Sequence, residues 1–168
     1  MKNKITIILL CFFVYACAVE KKKLIPEKVL PRDWLADLRA EAKNYSSAVQ
    51  VIPLLDPSVA DLRERALAFE NKGDFVQAKQ AINKAIELTP DDPDLWQSLA
   101  ETHIATKDWL DADQTAHKSF LLGPKLGALC ARNWLAIQAA KTELGDAVAA
   151  AKASAEIRKC KIAALKRM

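Results

Sequence analysis

Histidine is nearly missing from this sequence: His103 and His117 are the only two among 168 residues. Helical spacing puts them on different helices, with no carboxylate or thiol at a metal-ligand distance in sequence, which argues against a metal site. A Gly-rich phosphate loop, a nucleophile elbow and a paired acidic motif are also lacking, so nothing nominates a cofactor pocket or a catalytic centre. Glycine is scarce as well. Gly73, Gly123, Gly127 and Gly145 are the whole set, and the Ala/Leu/Lys/Glu-rich stretches between them favour helix over strand. The expectation is an all-α chain with no cofactor, no metal, no small-molecule substrate and no enzymatic activity. A cell-wall enzyme would require turnover that disappears on changing His103 or Glu101.

What the chain does have begins at its N-terminus. Lys2 and Lys4 precede an uncharged run from Ile5 to Ala16. As a helix, twelve residues cover about 18 Å, short of a hydrocarbon core near 30 Å, so the run reads as a secretory signal rather than a span. It ends in Val14-Tyr15-Ala16-Cys17, which resembles the bacterial lipobox, with Tyr15 bulkier than the usual residue there. The resemblance implies cleavage after residue 16 and lipid on Cys17. Cleavage after Ala18 is the alternative, and Lys21, Lys22 and Lys23 keep an uncleaved anchor open, because positive charge just past the signal hinders export. Ala18 after the lipid site, rather than Asp, suggests outer-membrane sorting.

Charge and cysteine placement agree with export. With Lys2 and Lys4 removed, the net charge of +4 falls to +2. Residues 56–146 hold 15 acidic and 10 basic residues, a net of −5, and residues 147–168 hold 6 basic residues and Glu156, a net of +5. An acidic body with a short basic tail excludes the broad basic face of a nucleic-acid-binding domain. Cys11 leaves with the signal and Cys17 carries lipid, so Cys130 and Cys160 remain as an even pair for an oxidising compartment.

Residues 17–32 are polar and basic, with Pro26 and Pro31, and read as a tether. In residues 33–56, Asp33 is an N-cap for a helix with Trp34, Leu38, Ala42 and Tyr45 on one face, followed by an extended-looking stretch from Ser46 to Leu55. From residue 57 to 157 the chain repeats itself. Leu62, Ala66 and Phe69, a break at Gly73-Asp74, then Phe75, Ala78, Ile82, Ala85 and Pro90 form one unit. Trp96, Leu99 and Ala100, a break at Lys107-Asp108, then Trp109, Ala112, Ser119 and Pro124 form the next, 34 residues on. A third fits if Gly127 to Cys130 are an insertion: Trp134, Ile137, Gly145-Asp146, Ala150 and Ile157.

This pattern resembles the tetratricopeptide repeat. The resemblance implies an αα-hairpin superhelix of about three repeats, with an N-terminal extension and a C-terminal capping helix that runs into the basic end at residues 158–168. Small alanines let the helices of a hairpin approach, and the large positions, including Trp96, Trp109 and Trp134, fill the space between hairpins. His103 takes a packing position and His117 faces solvent. Asp91, Asp92 and Asp94 cap the following helix rather than bind a cation. Lys159, Lys161, Lys166 and Arg167 read as a solvated helix end.

In that family, first helices line an inner curve where protein partners or extended peptides lie. The register puts Arg63, Leu67, Glu70 and Asn71, then Gln97, Glu101, Ile104 and Ala105, then Arg132, Leu135, Ala139 and Thr142 on this groove. Arg63 and Arg132 suit a grip on a peptide C-terminus, but Leu67 and Ser98 stand where the carboxylate-gripping subset has Asn. The same register brings Cys130, before the third repeat's first helix, beside Cys160, at the end of its second, and implies a disulfide; two free buried cysteines are the alternative. Exported lipoproteins with such repeats resemble pilotins, assembly factors and adaptors that collect cell-wall enzymes. The function implied is an interaction scaffold or assembly factor on the periplasmic face of the outer membrane, tethered through Cys17. The alternative is a structural envelope protein acting through its lipid and basic tail without a peptide groove.

Overall fold

In the computed structural model the described residues are 32–45 and 56–161. The signal, Cys17, the tether as far as Pro31, the stretch from Ser46 to Leu55, and Lys166 and Arg167 lie outside them. Seven α-helices are present among the described residues: α1 (Trp34–Ala42), α2 (Pro57–Glu70), α3 (Phe75–Leu88), α4 (Pro93–Thr106), α5 (Trp109–Leu122), α6 (Gly127–Glu143) and α7 (Ala147–Lys159). A short 3₁₀ turn, Lys43–Tyr45, extends α1. Helices α2/α3, α4/α5 and α6/α7 pack as three successive hairpins.

Five of the seven helix starts among the described residues are written in the local sequence as aspartate caps. Asp56 and Asp92 precede Pro57 and Pro93, whose fixed φ suits the first turn, and their carboxylates accept the N–H of Ser58 at 2.8 Å and of Asp94 at 2.9 Å. Asp33, Asp74 and Asp146 cap α1, α3 and α7 in the same way. The three hairpin turns share one closure, in which the N–H of Asp74, Asp108 and Asp146 donates to the carbonyl of Phe69, His103 and Lys141. That closure needs a left-handed residue just before the aspartate. Gly73 (φ 74°) and Gly145 (φ 78°) supply it in the outer hairpins, and Lys107 (φ 63°) supplies it in the middle one.

The core follows from the alanines. Ala78, Ala85, Ala100, Ala112, Ala116, Ala131, Ala136, Ala139 and Ala140 have no exposed surface, and side chains this short allow close axial approach. The tryptophans fill the wider spaces. Trp96 packs against Ala66, Ile82 and Leu99 with its indole N–H on the Pro90 carbonyl at 2.7 Å, and Trp134 meets Phe120 at 4.8 Å between ring centroids. His103 lies half-buried, with Nδ1 3.3 Å from Asp108, and His117 lies edge-on to Trp134.

The third repeat is longer where its sequence is. Helix α6 has 17 residues against 14 in α2 and α4, so Gly127 to Cys130 form an extra N-terminal turn. The Gly127 N–H donates to the Cys160 carbonyl at 2.7 Å, which ties that turn to the end of α7.

Candidate interaction groove

Helices α2, α4 and α6 share one face of the array, and α1 lies on it. Its Trp34 indole donates to Glu143 at the C-terminal end of α6, 2.7 Å away. Tyr45, at its other end, packs with Cys130 at the N-terminal end of α6. Helix α1 therefore runs antiparallel to α6. Between these ends Leu38 enters an apolar seat that includes Ala100, Ile104, Ala136, Ile137, Ala139 and Ala140, where it is 2% exposed.

Beside Leu38, Arg39 forks between two carboxylates of different helices. Its Nε donates to Glu101 Oε2 at 2.8 Å and its Nη2 to Glu70 Oε2 at 3.0 Å. Glu101 is 1% exposed and would be costly to ionise alone. Its other oxygen accepts from Arg132 at 2.7 Å and from the Gln97 amide at 3.0 Å. Burial pushes the Glu101 carboxyl up, but the charge and hydrogen bond of Arg132, the charge of Arg39 and the Gln97 hydrogen bond outweigh it and hold the group below the ordinary carboxylate value. Burial alone would lower the Arg39 pKa, and the charges and hydrogen bonds of Glu101 and Glu70 raise it instead. Arg63 is held by Asp92 at 2.6 Å, across from α2 to the start of α4.

Four of the twelve groove residues read from the sequence are thereby covered. Gln97, Glu101, Ile104 and Ala139 are buried, because the face they share holds α1 and the charges that anchor it. Arg63, Glu70, Ala105, Arg132 and Leu135 are partly exposed, and Leu67, Asn71 and Thr142 are exposed. What stays open is a cavity of about 440 Å³ between α1 and all three hairpins, walled by Leu67, Arg63, Arg39 and Arg132. Leu67, 53% exposed, is the large apolar side chain on its rim.

The sequence reading did not find Arg39 or the Glu70–Arg39–Glu101 fork. A signal for it existed: a capped helix with the apolar face Trp34, Leu38, Ala42 and Tyr45 has to bury that face on something. Cys130 and Cys160 come together with Cα atoms 5.6 Å apart and their sulfurs at bonding distance. Among the described residues, no group of three or more His, Cys, Asp or Glu is placed to hold a metal ion, and no helix is long and apolar enough to cross a membrane.

Successive αα-hairpins presenting one helix of each pair to a common face make this a helical-repeat protein. Residues 59–102 match the family model for the tetratricopeptide repeat, and the three hairpins have the fold of a tetratricopeptide-type array. Its fold is similar to the globular C-terminal domain of P. aeruginosa LpoP, at 27% identity over 65% of this chain and 100% of that one, with a TM-score of 0.56. It is also similar to the first tetratricopeptide repeat of Spaghetti (RPAP3) bound to an HSP90 peptide, at 15% identity over 67% and 89% with a TM-score of 0.58. The CopN–Scc3 complex matches at 13% identity over 88% and 85%, with a TM-score of 0.56. No curated protein matches the chain in sequence.

Proposed function

We propose that this protein is a periplasmic scaffold or assembly factor of the bacterial envelope, held to the outer membrane by lipid on Cys17, and that it binds an envelope protein or an extended peptide from one. The observation that carries the binding role is the open part of the groove. Leu67 stands half-exposed at a cavity edged by Arg39, Arg63 and Arg132 on the face shared by first helices. Two structures of like fold, one holding an HSP90 peptide and one a two-protein complex, support a protein or peptide as the ligand class. The lipid anchor rests on Val14 to Cys17 after a short apolar run, and the likeness to a domain described as globular and C-terminal fits a folded body that follows a tether. Cys130 and Cys160 are assigned to a disulfide on the same reading of an oxidising compartment.

A structural envelope protein acting through lipid and basic tail is the second reading, and the burial of Gln97, Glu101, Ile104 and Ala139 favours it. Affinity capture from detergent-solubilised envelopes separates the two, with wild type, Leu67→Glu and a tail variant in which Lys166 and Arg167 become Ala. The scaffold reading expects Leu67→Glu to lose the captured protein and the tail variant to keep it. Retention by Leu67→Glu and loss by the tail variant would contradict it. For the anchor, Cys17→Ser should abolish lipid labelling and release the protein from membranes; soluble wild-type protein beginning at Val19 would overturn that assignment.

A further inference from the structure

Helix α1 shows what the groove selects. It has nine residues, fewer than an isolated helix needs to persist in water, so its helical state depends on its seat. The side chains that hold it follow a simple pattern: Trp34 bonded to Glu143, Leu38 one turn on in the apolar seat, Arg39 next to it on Glu70 and Glu101, and Ala42 a further turn along. The arginine position is specific. Its Nε and Nη2 reach carboxylates on two different helices, and a lysine nitrogen offers no such rigid fork.

The seat does not close around its occupant. Cavities of about 440 and 690 Å³ flank α1, the first toward Leu67 and Arg63 and the second toward Leu135 and Ile157. The first two hairpins also pack on each other without it. Two apolar clusters, Ala66–Ala81–Ile82–Leu99 and Val59–Ala85–Leu95, contain no residue of α1. Of the nine residues of α1, only Leu38 and Ala42 are buried. Loss of α1 from its seat would bare an apolar strip beside two carboxylates.

We propose that this face is a receptor for an amphipathic helix presenting adjacent leucine and arginine with an aromatic residue one turn before, that α1 is its resident occupant, and that a protein partner docks by displacing α1. This rests on the scaffold reading and adds to it the partner's chemistry and the means of its regulation. The probe is a labelled synthetic peptide with the sequence of residues 32–45, offered to full-length wild type and to a Leu38→Ala/Arg39→Ala variant whose own α1 holds less well. The variant should bind it at least tenfold more tightly than wild type, and a peptide with lysine in place of the arginine should bind about threefold more weakly. Hydrogen exchange on unmodified wild type gives a second test. The α1 amides should exchange at least a hundredfold faster than the slowest amides of α4 and α6, by local opening. Exchange of α1 in step with α4, or no peptide binding to a variant whose hairpins remain helical, would overturn the proposal. Capture of a partner by wild type with α1 amides still fully protected would sink the displacement while leaving the scaffold standing, so the two readings fail separately.

Discussion

Replacing Ile104 with Ala separates an occupied groove from an empty one. On a bare inner curve Ile104 would face solvent and its truncation would cost almost nothing. In the structure it is 3% exposed, in the cluster that receives Leu38. Ile→Ala removes three carbon groups worth about 0.8 kcal/mol each on transfer. The cavity left behind adds roughly 1 kcal/mol, for a total of about 3.5 kcal/mol, within the range of about 2–5 kcal/mol measured for such truncations. For a body of this size that corresponds to a fall in Tm of roughly 14 °C. Leu67→Ala is the control on the same face. At 53% exposed it should cost below about 1 kcal/mol and move Tm by only a few degrees. Both can be read by thermal melting in circular dichroism and by urea titration. An Ile104→Ala protein melting within about 3 °C of wild type would refute the reasoning and restore the open groove.

Other substitutions probe the charges, the turns and the cysteines. Arg132→Ala, which leaves the buried Glu101 with Arg39 as its one cationic partner, should cost roughly 3–5 kcal/mol in urea unfolding. Arg39→Ala, at a side chain 43% exposed, should cost nearer 1 kcal/mol; equal costs would contradict the division of labour around Glu101. The pKa of Glu101 is lowered on folding, so its contribution is fully present above its ordinary value of 4.5 and is lost as pH falls through the lower folded value. Unfolding measured down the pH scale should therefore show wild type losing more stability below about pH 4.5 than Glu101→Gln does, and a constant gap would count against the ion network. Lys107→Gly relieves a left-handed backbone at φ 63° and should raise stability by roughly 0.5 kcal/mol after the added freedom of the unfolded chain is counted; a loss would argue against that turn. Changing Cys130 and Cys160 together to Ser should remove about 3.5 kcal/mol from the oxidised protein, as expected for a bridge across a separation of 30 residues. Identical melting of the variant and oxidised wild type would refute the bridge.

The repeat was legible because its signals are local. Asp-Pro pairs mark helix starts, and Gly73-Asp74 and Gly145-Asp146 mark turns by a backbone conformation that glycine adopts freely. The four extra residues before the third repeat stood out as a break in the 34-residue spacing, and they form the added turn of α6. Lys107 takes the same left-handed conformation without glycine, so its turn was visible only through its neighbours' alignment. The groove was harder to read for a physical reason. Whether an inward position is open depends on what lies over it, and Arg39 meets Glu101 across 62 residues of sequence. Periodicity assigns Ile104 and Ala139 to a face. It does not say that the face is filled by the chain's own first helix, although the apolar side of α1 and the buried position of Glu101 beside Arg132 are two halves of that answer.

The most direct test of the filled groove is a nuclear Overhauser experiment on methyl-labelled, full-length protein. Leu38 methyl protons should show strong cross-peaks to methyls of its seat, among them Ile104, Ile137 and Ala139. Leu38 methyls with random-coil shifts and no cross-peak to any residue of α4 or α6 would contradict the account.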